Sequence, residues 1–260
     1  MRLAMQTPGR WWPPLVCLLG ACLAATGAEA QEPTATPRPP PPPRNFGVIV
    51  SRAYEVLDIF GPLSALGSLA RMHQMNLYMI AESMDPVTVE PVSPAMNTKN
   101  SSFFPLVLPT HTYATAPKDL EVLIVPGGLW TRSPNLNSTI AYIRTVYPSL
   151  RYLVSICTGA GVVARAGVLD GRRATTNKAS WASTIVHGPR TEWVARARWV
   201  VDGNVWTSSG VSAGIDATLD FIEQVYGAAN ATYIADAMEY DWHRDPSWDP
   251  FADKFNVTGA

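Results

Sequence analysis

YLVSICTGAGVVARA, residues 152–166, is the stretch on which the fold turns. Five residues of strand-forming character, Tyr152 to Ile156, run into Cys157, and a helix of small residues from Gly159 to Ala166 must begin at once. An apolar run too short for a helix, followed directly by one, is the signature of a strand buried on both faces that crosses over into a parallel neighbour. The same alternation extends outward in both directions. FGVIV (46–50) reads as a buried strand, Leu57 to Met72 has helical spacing, and LYMIA (77–81) is strand again. Val87 to Val92 with Phe103 to Leu108 forms a hairpin or loop excursion. EVLIV (121–125) is the clearest strand of all and is stopped by Pro126, Gly127 and Gly128; Asn135 to Tyr147 is a helix. Downstream, Trp193 to Val201 and Asn204 to Ser208 make a hairpin across Asp202-Gly203. Helices follow over Ala213 to Tyr226 and Ala228 to Met238. The pattern predicts one α/β domain at 45–245, a mostly parallel sheet covered by helices on both faces, with 246–260 as a C-terminal tail. In such sheets ligands meet the carboxyl ends of the strands, here after Val50, Val125 and Ile156.

Composition narrows the function. With 260 residues, 20 Lys and Arg against 21 Asp and Glu, and a pI near 6.4, the chain lacks the basic surplus of a nucleic-acid binder. No apolar run reaches the 18–20 residues of a membrane span, which excludes a multi-span protein. The cysteines are Cys17, Cys22 and Cys157, too few for a disulfide scaffold or a thiolate metal site. Residues 1–30 read as a secretory signal: Arg2 and Arg10, an apolar stretch from Leu15 to Ala25, and Ala28-Glu29-Ala30 as the cleavage site. A single membrane anchor is the alternative, disfavoured by the shortness of the stretch and by Pro13-Pro14. Cleavage leaves Cys157 alone. PTATPRPPPPP (33–43) makes 31–44 an extended proline-rich linker. Four N-x-[ST] sequons, at Asn100, Asn137, Asn230 and Asn256, fit a secreted glycoprotein and should lie on the surface.

Cys157 sits where a nucleophile elbow would place it, on a sharp strand-to-helix turn whose helix N-terminus favours the thiolate. The competing reading is an inert buried cysteine. Gly127 and Gly128, ending the neighbouring strand, can aim backbone N–H groups at the sulfur; on its own, PGG is an ordinary tight turn. Of His73, His111, His187 and His243, none ends a strand or lies near Cys157 in sequence, although His187 stays open as a partner. Asp58, set among Val56, Leu57, Ile59 and Phe60, is the carboxylate candidate. Burial would raise its pKa and let it share a proton with the thiol. As alternatives, Asp58 caps its helix, or Glu55 takes the acid's place. No metal-ligand spacing is present.

These blocks together, VLIVPGG, SICTGAGVVARAGVLDGRRATT and VVDGNVWTSSGVSAGIDATLDFIE, resemble the DJ-1/PfpI superfamily over residues 46 to 228. The nearest likeness is to its isocyanide hydratase-like branch, which shares the amidotransferase-like, flavodoxin-like fold. The resemblance implies that Cys157 is the nucleophile, with Thr158 the threonine that follows it in that branch. Asp58, within LDIFGP, would be the branch's acid, and Gly128 and Thr158 the backbone donors. It implies a homodimer, no cofactor and a small electrophilic substrate. Three departures bear on the substrate. Thr158 stands where peptidase or glyoxalase members place histidine, Asn177-Lys178 replaces His-Trp after ATT, and Ser64 replaces a common Glu. Trp181, Ser209 and Gly210 are possible pocket walls, Trp181 also reading as core. The leading expectation is a hydratase that converts isocyanides to N-formamides. A glyoxalase- or deglycase-like activity on α-oxoaldehydes is an alternative, as is a non-enzymatic redox-sensing or binding protein.

Overall fold

The structure, a computed structural model, describes residues 40–257. The signal peptide read at 1–30 and the linker as far as residue 39 lie outside the described residues. The elements run β1 Asn45–Ile49, α1 Val56–Leu69, β2 Asn76–Ala81, β3 Val87–Thr88, β4 Leu106–Val107, β5 His111–Thr112, β6 Val122–Val125 and α2 Asn137–Val146. They continue with β7 Tyr152–Ile156, α3 Gly159–Arg165, β8 Arg173–Ala174, α4 Trp181–Ile185, β9 Glu192–Trp193, β10 Trp199–Asp202 and β11 Val205–Ser208. Three helices close the chain: α5 Val211–Tyr226, α6 Ala228–Ala237 and α7 Pro250–Lys254.

Seven strands form one sheet in the order β10-β11-β7-β6-β1-β2-β5, with only β10 antiparallel to its neighbour. The strands with continuous apolar runs are the central ones: all four residues of β6 are buried, as are the last four of β1 and of β7. Helices α1, α5 and α6 pack together on one face, and α2, α3 and α4 on the other. Phe221 of α5 ties three strands at once, its ring edge-on to Phe46, Tyr152 and Trp206 with centroids 6.4, 5.1 and 5.4 Å away. Such edge-to-face pairs add to what area burial contributes. Among the described residues no helix is long and apolar enough to cross a membrane.

Register decides where the chemistry falls. Val125 pairs with Ser155, and Ile156 with Ser208, so β6, β7 and β11 end side by side. The residues that follow, Pro126-Gly127-Gly128, Cys157-Thr158 and Ser209-Gly210, therefore emerge together.

Four expectations need correction. Trp193 to Val201 is not one strand: Glu192–Trp193 pairs with Arg173–Ala174, and only Trp199–Asp202 joins the hairpin with β11. The chain breaks between them because Arg198 turns inward to a buried ion pair with Asp216. Residues 246–257 are not a free tail. Ala252 is fully buried and Arg198 N–H donates to Pro246 O at 2.7 Å, so the segment packs on the domain. The linker's last residues also belong to the domain, since Pro43 is buried with its carbonyl accepting from Tyr226 and Pro41 O accepts from Arg151. Of the sequon residues, Asn100, Asn137 and Asn256 are exposed. Asn230 is half-buried in α6, and its Nδ2 donates to Tyr226 O at 2.8 Å.

Candidate active site

Cys157 follows β7 with a φ of +56°, in the left-handed region that a residue with a side chain seldom adopts. Two bonds hold it there: its N–H donates to Ser208 O at 3.2 Å, and Thr176 Oγ1 donates to its carbonyl at 2.8 Å. Strained residues held in this way by their surroundings cluster at functional turns. The strand-to-helix elbow is thus present as the sequence implied.

Asp58 lies in the first turn of α1 and is wholly buried. It does not cap its own helix. Its Oδ2 accepts from Gly127 N, 69 residues away, at 2.8 Å, while Oδ1 has no hydrogen-bond partner among the described residues. Burial raises its pKa to about 7; the Gly127 N–H pulls it back, the Glu55 charge pushes it up, and the Cys157 thiol draws it down again. Burial also pushes the Cys157 thiol up, with the Asp58 charge adding to the effect, while Thr158 N–H and the Asn177 amide favour its thiolate. The expected drop in thiol pKa at the helix N-terminus does not occur, because desolvation and a neighbouring carboxylate outweigh the field of the short α3. Cys157 and Asp58 act on each other's ionisation, so the two titrate as a coupled pair.

Gly127 is wedged into this pair. A Cβ there would stand 2.7 Å from Asp58 Oδ2, 2.8 Å from Cys157 Cβ and 2.8 Å from Thr158 N. Gly128, with φ +127°, presses on the turn at Ala53–Glu55 and bridges to Tyr54. Both N–H groups are already engaged, Gly127's with Asp58 and Gly128's with Thr158 Oγ1 at 3.1 Å. The expectation that these two glycines offer free donors to the sulfur is corrected accordingly; Thr158 N–H and Asn177 are the groups that face it. Gly127→Ala should lower the melting temperature, since overpacking costs about 1–3 kcal/mol, and should push the carboxyl away from the thiol. Calorimetry together with the pH dependence of Cys157 alkylation reads both effects, and wild-type values for each would count against this geometry.

Asn177 is the residue that motif reasoning noticed only as a departure. Its position two residues after Thr175, in a loop at the carboxyl end of the sheet, was the available signal. Its neighbour Lys178 turns inward rather than to solvent. Ser209 and Gly210 border a cavity beside Asn177. Trp181 is buried edge-on to Trp193, with Lys178 Nζ 5.2 Å from its ring. His187 stands behind α3, lining a space of about 20 Å³ with Thr158 and Gly161. His73 faces Tyr226, His111 faces Tyr78 and His243 stacks on Trp248, all away from Cys157. A larger cavity, about 460 Å³, opens beside Trp130 and Arg52 and touches neither Cys157 nor Asp58.

A doubly wound sheet with a left-handed cysteine on the elbow and a buried acid beside it defines a class of cysteine-centred α/β proteins. Residues 48–224 match the DJ-1/PfpI family, and the chain belongs to it. It is 31% identical over 197 residues to isonitrile hydratase of Pseudomonas putida, covering 75% of this chain and 78% of that one. A deglycase of Pyrococcus horikoshii is 35% identical over 100 residues, 38% of this chain and 58% of its own length. The solved structure of a THiJ/PfpI family protein from Pseudomonas syringae superposes with a TM-score of 0.63 at 28% identity, over 85% of this chain and 87% of that one.

Proposed function

We propose that the protein is a cofactor-free hydratase that uses Cys157 and Asp58 to add water to the terminal carbon of an isocyanide. The observation carrying this reading is the buried Asp58 carboxyl, pushed to about 7, facing the thiol with one oxygen unpartnered. The likeness to isonitrile hydratase supports it. As the substrate arrives, the Cys157 proton passes to Asp58. Sulfur bonds to the divalent carbon of R–NC, and the Asp58 proton goes to that same carbon, giving the thioformimidate R–N=CH–S. Asp58, now a carboxylate, takes a proton from water as its oxygen attacks the carbon, and hands that proton to nitrogen. The C–S bond of R–NH–CH(OH)–S then breaks, the hydroxyl proton returns to the Cys157–Asp58 pair, and R–NH–CHO leaves. Every step uses one mobile proton, one nucleophile and one base.

Formamide production from phenyl isocyanide is the test. Cys157→Ala should abolish it, and turnover persisting in that variant would sink the mechanism. The pH profile is fixed by the pair. Below about 7 both groups carry protons, and the reactive one-proton state fills as pH rises through the raised Asp58 value. We expect kcat/KM to climb on an acid limb with a midpoint near 7, and a limb near 4, the usual carboxylate range, would contradict it.

A deglycase-type reaction has the second claim, supported by the likeness to the archaeal deglycase. Against it stands the absence, among the described residues, of a histidine at the thiol. α-Oxoaldehyde substrates tested beside the isocyanide separate the two.

A further inference from the structure

A cavity of about 300 Å³ opens directly beside Asn177, the residue whose amide faces the Cys157 sulfur. Ser209, Gly210 and Val211 line it, together with Phe251 and Phe255 of the C-terminal segment. Gly210 comes so close to the amide that a Cβ there would lie 3.3 Å from Asn177 Nδ2. Cys157 does not itself line the cavity; the Asn177 side chain stands between the two, with the thiol on one side and the cavity on the other.

Two cations also border it, and neither is free. Lys178 Nζ meets Thr175 Oγ1 at 2.8 Å, Ala197 O at 2.9 Å, Thr176 O and Ser209 Oγ at 3.2 Å, and the Asp249 carboxylate at 2.9 Å. An ammonium has three donors, so these acceptors saturate it. Arg198 is held by Asp216 and Ser212 and lies 5.1 Å over the Trp248 ring. An anionic ligand would find no unpaired charge here. What is left to a ligand is the apolar surface of Val211, Ala213 and the two phenylalanines. Phe251 and Phe255 are 41% and 45% exposed, large apolar side chains turned to solvent. They are nevertheless firmly placed: Asp249 caps α7 by accepting from Phe251 N at 2.9 Å, Ala252 is fully buried, and Arg196 pairs with Asp253.

We propose that this cavity receives the apolar substituent of the substrate whose reacting carbon sits at Cys157, and that Phe251 and Phe255 set the size it accepts. The inference rests on the reading of Cys157 and Asp58 as a hydratase site. A volume near 300 Å³ is at the small end of ligand pockets and suits a single ring or a branched alkyl group. The C-terminal segment thereby completes the substrate site instead of trailing from it.

The experiment compares phenyl and methyl isocyanide on the full chain, on Val211→Trp, which fills the cavity, and on Phe251→Ala/Phe255→Ala, which widens it. The melting temperature of each variant is measured alongside. In Val211→Trp the ratio of kcat/KM for phenyl over methyl should fall about tenfold or more, the scale at which apolar pockets discriminate by size. In the double variant the preference should shift toward a bulkier substituent such as biphenyl. Ratios unchanged in both variants would overturn the cavity's role while leaving the hydratase reading intact. If the wild-type protein turns over neither isocyanide, the hydratase reading fails, and titration with formanilide decides the cavity by itself. Binding lost in Val211→Trp supports the cavity. Absent binding to wild type, or equal binding to both proteins, overturns it.

Discussion

Asp58→Asn should yield a protein that is more heat-stable above neutral pH and catalytically crippled. The carboxyl is fully buried with one oxygen unpartnered, and its pKa stands at about 7 in the fold. An acid whose pKa is raised on folding favours the folded state while it is protonated. That contribution is complete below the unfolded value near 4 and is lost as pH rises through the folded value near 7. A rise of that size corresponds to roughly 4 kcal/mol of stability forgone at pH 8. Asparagine keeps the bond from Gly127 N–H and cannot ionise, so the variant escapes this loss, less whatever its amide hydrogens cost unpaired. Calorimetric scans at pH 5 and pH 8 should find the two proteins closer in melting temperature at the lower pH and further apart at the higher, with the variant melting later. Formamide production should fall by about 10²–10⁴, the usual worth of a positioned acid–base group. A variant that is less stable than wild type at pH 8 would mean that the carboxylate is not desolvated as described.

Lys178→Met carries the other large effect, in the opposite direction. The Lys178–Asp249 pair is about as buried as an ion pair can be, each side chain 1% exposed. Burial lowers the Lys178 pKa and Asp249 raises it again, so the ammonium depends on its partner. Removing the cation strands a carboxylate in the interior, which costs about 3–5 kcal/mol. The protein should melt markedly earlier, and limited proteolysis should cut between residues 245 and 254, where the wild-type segment is protected. Adding Asp249→Asn should restore part of the loss, since asparagine still caps α7 and no longer carries charge. A single variant that melts like wild type would show that the pair does not hold the segment.

The central architecture was legible because its strands are continuous apolar runs, and burial on both faces of a parallel sheet leaves no other pattern. Cys157 and Asp58 could be picked out because each interrupts such a context, a thiol at a strand end and an acid among Val, Leu, Ile and Phe. What escaped depends on long-range pairing. Lys178 and Asp249 are 71 positions apart, and a lysine beside an asparagine reads as surface until its partner is seen. Alternation from Trp193 to Trp199 suits a straight strand and a bent segment equally well, so the break at Arg198 had no local sign. The thiol pKa went the wrong way for a related reason: the helix N-terminus is written in the sequence, whereas the depth of the sulfur is not. Asn177 was visible as an odd residue in a familiar place, without the geometry that gives it work.

The sheet's polarity has a practical bearing on how the protein can be handled. Residues 41–44 lead into β1 at the amino edge of the strands, whereas Phe255 stands at the carboxyl edge, on the wall of the cavity beside Asn177. Cargo joined ahead of Pro41 meets the domain at the end remote from the thiol. A reporter joined just behind Val257 would instead crowd the cavity proposed to receive the substrate's apolar group. The two ends of this domain are therefore unequal as attachment points, and an immobilised or labelled form leaves that cavity clear when it is held from the amino side.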